Sequence, residues 1–158
     1  MTLRALTAGD VAAIAGLEAV VYEPSLHVSD EAFLRLIEIY PEGALGCFDD
    51  DGLCGYAFAV PLTAGSILDL REPLPAVPPD ADTFYIHDVA VAPRCRGAGV
   101  GRILVRGLLD LARTARFTRA ELVAVQGAAP FWERFGFRAV REFEYVPGVP
   151  STQMRADL

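Results

Sequence analysis

The sequence predicts a single mixed α/β (α+β) domain over residues 1–158, with a central sheet of about seven strands, splayed in its middle and flanked by about four helices. Three observations point there. The apolar spacing alternates along the chain between the period of a strand and that of a helix. An apolar strand at 84–91 runs into Arg94-Cys95-Arg96-Gly97-Ala98-Gly99-Val100-Gly101-Arg102 and then into an apolar-periodic helix. Within that strand the apolar phase slips by one residue across His87-Asp88, from Phe84 and Ile86 to Val89 and Val91. A β-bulge produces such a slip, and bulges splay strands and re-aim side chains beside active sites.

The elements follow in order. Residues 2–6 read as a short strand, and Thr7-Ala8-Gly9-Asp10 leads into a helix carrying Val11, Ile14, Leu17 and Val21 at helical spacing. A second helix is capped by Ser29 or Asp30, buries Ala32-Phe33 and Leu36-Ile37, and stops before Pro41. Strands at 44–48 and 53–60 flank Asp49-Asp50-Asp51-Gly52, a hairpin signal. The segment 61–83 is rich in Pro, Gly and Asp; a loop of that length in a small domain is usually functional, so it is expected to face substrate together with the turn 22–28. After the strand 84–91 come a helix at 99–115 and a strand at 119–125, the parts of a right-handed β-α-β unit. A short helix at 129–135, a strand at 137–146, the break Pro147-Gly148-Val149-Pro150 and a last strand at 152–158 complete the chain.

Composition removes several classes of function. The 158 residues are 53% hydrophobic, about one domain's length. No apolar run reaches the ~18 residues of a membrane span, and the N-terminus lacks a signal-peptide core, so a cytoplasmic protein with no membrane partner is expected. All fourteen basic residues are arginine. Lysine nucleophiles and Schiff bases are thereby excluded. The net charge is −7, yet seven arginines against Asp110 alone make 94–119 locally +6. An acidic body with one basic stretch argues against nucleic acid and for a small polyanionic ligand. Cys47 and Cys54 are placed to face each other across the hairpin; the three cysteines read as reduced packing residues, with oxidation of Cys95, on the approach to the glycine loop, as the alternative.

The alternating glycines let successive amides converge where a helix directs its positive end, which suits a diphosphate. A Walker A loop needs a lysine that this chain lacks. A dinucleotide fingerprint needs a sixth-position glycine; counted from Gly97 that position is Arg102, although Glu121 stands where a ribose-binding acid would.

Arg96-x-x-Gly99-x-Gly101, preceded by Ala90-Val91-x-Pro93, resembles the acyl-CoA-binding motif of the GCN5-related N-acetyltransferases (GNAT). The segment Ala129-Pro130-Phe131-Trp132-Glu133-Arg134-Phe135-Gly136-Phe137 resembles that family's second motif. Within the family the chain is most similar to the arylalkylamine N-acetyltransferases, through Phe33-Leu34-Arg35-Leu36 to Pro41-Glu42, Ile86-His87-Asp88-Val89-Ala90-Val91 and 129–137. The similarity runs from about Ala32 to the C-terminus.

The resemblance implies a GNAT-like splayed sheet holding acetyl-CoA, the acyl-donor cosubstrate, in its opening, with no metal. Val89, Ala90 and Val91 would run beside the pantetheine arm. Backbone groups of Arg96, Gly97, Ala98, Gly99, Val100, Gly101 and Arg102 would hold the pyrophosphate. His87 matches a histidine proposed as the base in the arylalkylamine enzymes, and Tyr85 lies two residues earlier on its face; these are the catalytic candidates. The Val89 N–H would polarise the thioester carbonyl, Asp88 reads as a structural partner and Phe131 as core. Trp132 stands where the family carries its tyrosine acid. Indole can donate a hydrogen bond but not its proton, so Trp132 is expected to wall the cofactor site while Tyr85 or water returns the proton. The expected activity is N-acetylation of a small cationic or aromatic amine, with homodimerisation left open; a non-catalytic CoA-binding module and a protein N-terminal or lysine acetyltransferase are the alternatives.

Overall fold

A computed structural model of the chain describes residues 1–158. Its elements are β1 (Thr2–Ala5), α1 (Val11–Val21), α2 (Asp30–Ile39), β2 (Ala44–Asp49), β3 (Gly52–Leu62), β4 (Thr83–Val91), α3 (Val100–Thr114), β5 (Arg119–Val125), α4 (Ala129–Glu133), β6 (Arg138–Glu144) and β7 (Pro150–Asp157), with short 3-10 turns between several of them. The seven strands form one sheet in the order β1-β2-β3-β4-β5-β7-β6. All neighbours are antiparallel except β4 and β5, the parallel pair that α3 connects. No helix is long and apolar enough to cross a membrane.

The phase slip is a bulge in β4. Opposite β3, Phe58 faces Asp88 and Ala59 faces Ile86, so His87 is the extra residue. On the other side, β4 and β5 pair only from Phe84–Ala120 to Ile86–Leu122. Beyond Ile86 the strands part: β5 continues with β7 as far as Val125–Ser151, and β4 continues with β3 as far as Val91–Gly55. The sheet is therefore split in its middle, as the sequence predicts.

The helices are set by their apolar stripes. Ser29 caps α2, its hydroxyl accepting from the Ala32 amide at 3.1 Å, and the helix buries Ala32, Phe33 and Leu36. Phe33 meets Tyr56 and Phe58 of β3 at ring-centroid distances of 5.9 and 5.0 Å. Along α3, Val100, Leu104, Val105, Leu108, Leu109 and Ala112 face the sheet while Arg102, Arg106 and Arg113 are exposed. Under the start of α3 the backbones approach closely. A Cβ on Gly55 would stand 2.8 Å from both the Ala90 carbonyl and Val100 Cγ1.

Two expectations change. A second bulge, between Cys47 and Phe48, sets Cys47 opposite Gly55, so Cys47 and Cys54 do not face each other. Glu121 is not a ribose ligand: it is buried, its Oε2 accepts from Arg155 at 2.9 and 3.1 Å, and its Oε1 accepts from the Gly65 amide at 2.8 Å. Those bonds tie β5 to β7 and to the loop after β3, and they leave the dinucleotide reading without its acid.

Because backbone and Val100 crowd Gly55 together, Gly55→Ala should destabilise the fold by about 1–3 kcal/mol. Urea unfolding of the two proteins checks this; equal midpoints would show that β3 and α3 have room to move apart.

Candidate functional site

A cavity of about 210 Å³ opens where β4 leaves β5. His87, Asp88 and Val89 of β4 form one wall, and Leu122, Val123 and Val125 of β5 form the other. Tyr22, Val28, Leu70 and Tyr145 complete the lining with Phe131 and Trp132 of α4. The wall is mostly apolar. It contains no arginine, and its only carboxyl is Asp88.

His87 carries the chemistry the bulge makes available. Both ring nitrogens are inaccessible to water and have no hydrogen-bond partner within the protein. Burial lowers its pKa from 6.5 to about 4, so the imidazole is neutral at pH 7 and has a free acceptor. Asp88, the next residue, is buried and accepts the Tyr56 hydroxyl at 2.9 Å. Burial raises its carboxyl to about 7, with the Tyr56 and Tyr22 hydroxyls pulling the other way. The Tyr22 hydroxyl also donates to the Val89 carbonyl at 2.8 Å. Behind this layer lies Glu18 of α1, 3% exposed, with Oε1 accepting the Val28 amide at 2.9 Å and Oε2 unpartnered. Burial, then the Asp88 charge, raise Glu18 from 4.5 to about 8.

Tyr85 is close to His87, ring centroids 6.2 Å apart, but it is 2% exposed and forms no part of the cavity wall. The tyrosines that reach the wall are Tyr22 and Tyr145, the hydroxyl of Tyr145 donating to the Leu68 carbonyl. Trp132 does wall the cavity; it packs edge-on against Phe131 at 5.1 Å and Phe137 at 5.6 Å. Phe131 is half-buried on the wall rather than in the core, within 3.4 Å of where a Cβ on Gly101 would lie. Tyr22, Tyr145 and Glu18 were not singled out from the sequence. They join the site through contacts far apart in the chain, and only the expected 22–28 turn pointed toward one of them.

The glycine loop begins one residue past the 3-10 turn Pro93–Cys95. Gly97 and Gly99 have φ of 83° and 80°, a left-handed backbone that favours glycine, and Gly99 is the N-cap of α3 with no side-chain cap. No turn or loop bond uses the amides of Gly97, Gly99, Val100, Gly101 or Arg102. A run of open donors at a helix N-terminus is an anion cradle. Of the seven arginines in the basic stretch, Arg94, Arg113 and Arg119 are paired with Asp49, Asp110 and Asp82, while Arg96, Arg102, Arg106 and Arg116 have no carboxylate within pairing distance. Val89, Ala90 and Val91 lie between cradle and cavity, and β4 has no strand partner on that side. Away from the cavity, Asp49, Cys54 and Cys95 bring one oxygen and two sulfurs within 4.8 Å of one another.

The raised carboxyls have a consequence for stability. A carboxyl whose folded pKa exceeds its unfolded value binds more protons in the fold, so its contribution is full below the unfolded value and is lost as pH rises. Glu18 should therefore reduce the melting temperature progressively between about pH 4.5 and 8. In Glu18→Gln that decline should be shallower; a thermal-melt series with parallel curves for both proteins would show that Glu18 ionises freely. His87 acts with the opposite sign, its contribution being lost as pH falls from 6.5 through about 4.

The model of the Acetyltransferase (GNAT) family matches residues 13–137. A serotonin N-acetyltransferase from Mesocricetus auratus is 31% identical over 148 residues, covering 87% of this chain and 67% of the relative. A glucosamine 6-phosphate N-acetyltransferase from Trypanosoma brucei brucei is 38% identical over 55 residues, 35% of this chain and 37% of that protein. The chain thus spans between about a third and two thirds of these relatives' own length. The loading GNATL domain of CurA from Lyngbya majuscula superposes with a TM-score of 0.83 at 16% identity over 99% of this chain and 96% of that domain, a likeness of fold.

Proposed function

The chain belongs to the GNAT acetyltransferase family, and from that premise we propose that it transfers an acetyl group from acetyl-CoA to a small apolar primary amine, by direct attack of the amine on the thioester. The observation that carries this reading is His87: a neutral imidazole with two unpartnered nitrogens, at the bulge where the sheet splits, facing an apolar cavity.

The residues present fit acetyl-CoA. The open amides of Gly97, Gly99, Val100, Gly101 and Arg102, with the unpaired Arg96 and Arg102, match a diphosphate. The unpaired side of β4 at 89–91 matches an extended arm that bonds to backbone as an added strand would. Bound there, acetyl-CoA supplies an acyl group activated as a thioester.

The chain's own groups do the rest. His87 accepts the proton that the amine must lose. The Asp88 carboxyl, with a pKa of about 7, lines the same cavity and favours a cation within it. Trp132 excludes water from the acyl group. It cannot serve as an acid, and Tyr85 is sealed behind the wall, so Tyr22, Tyr145 or a water molecule is the remaining source of a proton for the departing sulfur. A thiol with pKa near about 8.5 leaves tolerably as its anion, so the step tolerates a weak acid.

The wall also selects. Without an arginine it offers no cation to a phosphate or carboxylate, and burying such a charge unpaired is costly. Acceptors that combine an apolar body with one amine fit; phosphorylated amines do not.

Release of CoA thiol across a panel of amines tests the proposal. Apolar primary amines should show the highest kcat/KM, well above glucosamine 6-phosphate or peptides. No release above background on any amine, or preference for the phosphorylated one, would overturn it. His87→Ala should lower kcat by about 10²–10⁴ without changing the KM for acetyl-CoA. Gly99→Val, which forces a branched residue into a left-handed backbone, should raise that KM instead.

A further inference from the structure

One cluster that the reaction does not use lies directly under the glycine loop. Cys54 is on β3, and Cys95 ends the turn that delivers the chain to Arg96. Their sulfurs are 2.7 Å apart, far inside ordinary non-bonded contact, and they are 0% and 5% exposed. The backbone holds them in register. The Ala92 amide donates to the Cys54 carbonyl at 2.7 Å, and the Cys95 amide donates to the Ala92 carbonyl at 2.9 Å. Between them Arg94 binds Asp49 at 2.6 and 3.0 Å and the Leu53 carbonyl at 3.3 Å. Cys47, buried on β2, has no sulfur partner.

We propose that Cys54 and Cys95 are a covalent modification site: a hydroperoxide oxidises them to a reversible disulfide, which draws the phosphate-binding loop away from its ligand.

The chemistry needs no other co-reactant. Cys95, the more exposed of the two sulfurs, with its thiol 3.9 Å from the Asp49 carboxylate that Arg94 neutralises, attacks an oxygen of hydrogen peroxide. The O–O bond breaks, Cys95 becomes a sulfenic acid, and the departing hydroxide takes up the thiol's proton as water. Cys54 sulfur then attacks Cys95 sulfur, the S–O bond breaks, and the second hydroxide leaves as water with the Cys54 proton. Two thiols and one peroxide give one disulfide and two waters, the sulfurs losing the two electrons that the peroxide oxygens gain. Burial and the neighbouring thiol hold Cys54 well above the usual thiol range, which suits it to the second step rather than the first. A small thiol reductant reverses the bond by exchange.

The same atoms are poorly arranged for a metal. Both Asp49 oxygens are engaged by Arg94, and two thiolates on one tetrahedral zinc, with bonds of about 2.3 Å, stand almost 4 Å apart.

Closing the bond requires an approach of about 0.7 Å to reach the S–S length. The Cys95 carbonyl accepts from the Ala98 amide at 3.4 Å, so displacing Cys95 carries the turn at 95–98 with it. The amides that converge on the diphosphate then lose their common focus. The bond itself does not depend on the reaction; its effect on acetyl-CoA rests on the loop assignment above.

The full chain is treated with hydrogen peroxide, its remaining thiols are alkylated, and its peptides are mass-mapped alongside kinetics. Expected are a peptide pair joined at Cys54 and Cys95 and lighter by two hydrogens, an alkylated Cys47, and reversal by dithiothreitol. The KM for acetyl-CoA should rise about threefold or more with the amine KM unchanged. Cys47→Ser should retain the response and Cys54→Ser should lose it; should Cys54→Ser fail to fold, the wild-type map still decides. An over-oxidised or adducted Cys95 beside an alkylatable Cys54, a bridge to Cys47, or stoichiometric zinc shielding both thiols of the reduced protein would each overturn the site. A bridge with an unchanged KM would overturn its consequence. If reduced protein also fails to bind acetyl-CoA, the loop assignment falls while the bridge, read by mass, stands.

Discussion

The whole arrangement depends on a failure of strand pairing. Parallel pairing of β4 and β5 lasts three residues and stops at Ile86 and Leu122. Continued pairing would bond the backbone of 87–91 to β5, leaving neither cavity nor unpaired β4 edge. The bulge stops it by inserting His87 opposite no partner, which bends β4 and turns it toward β3. The buried polar groups exposed by the split then need partners. Tyr22 supplies one by donating to the Val89 carbonyl, and Tyr56 supplies another by donating to Asp88. Sheet geometry and site chemistry are one constraint here.

Charge is divided along the same line. The glycine loop offers open amides and unpaired arginines, while the cavity next to it offers an apolar wall and one carboxyl, Asp88, with a pKa near neutrality. Val89, Ala90 and Val91 join the two ends. In the proposed reaction an anionic carrier and a cationic acceptor would be drawn to opposite ends of one strand. Each would meet repulsion or an unpaired desolvation cost at the other's end, so the division orients both.

Much of this was legible in the sequence because it is local. The one-residue slip between Ile86 and Val89 encodes the bulge, and the spacing of Gly97, Gly99 and Gly101 encodes the cradle. What was missed is long-range. Cys54 and Cys95 are brought together only when β3 runs beside β4, and the bulge at Cys47 cancels the hairpin pairing that sequence alone suggests. Phe131 reads as core in a run of aromatics, yet its ring is on the wall because a five-residue helix starting at Ala129 turns it toward Gly101. Tyr85 and Tyr145 show the same limit. Strand alternation places Tyr85 on the face of His87, but depth within the sheet, which alternation does not report, seals it while the β6–β7 connection brings Tyr145 to the cavity wall.

The proton balance of the cavity follows from burial rather than from any single residue. Desolvation disfavours charge on the groups in it and on Glu18 behind it, so His87 is neutral, Asp88 is near half-protonation at about pH 7 and Glu18 at about pH 8. A primary amine entering as its ammonium changes this. Its charge favours the Asp88 carboxylate, which lines the same cavity and in the proposed reaction would hold the acceptor while a neutral His87 nitrogen takes its proton. The same reasoning explains why the orphaned Glu18 oxygen is tolerated: held protonated by burial, it avoids a second buried negative charge next to Asp88.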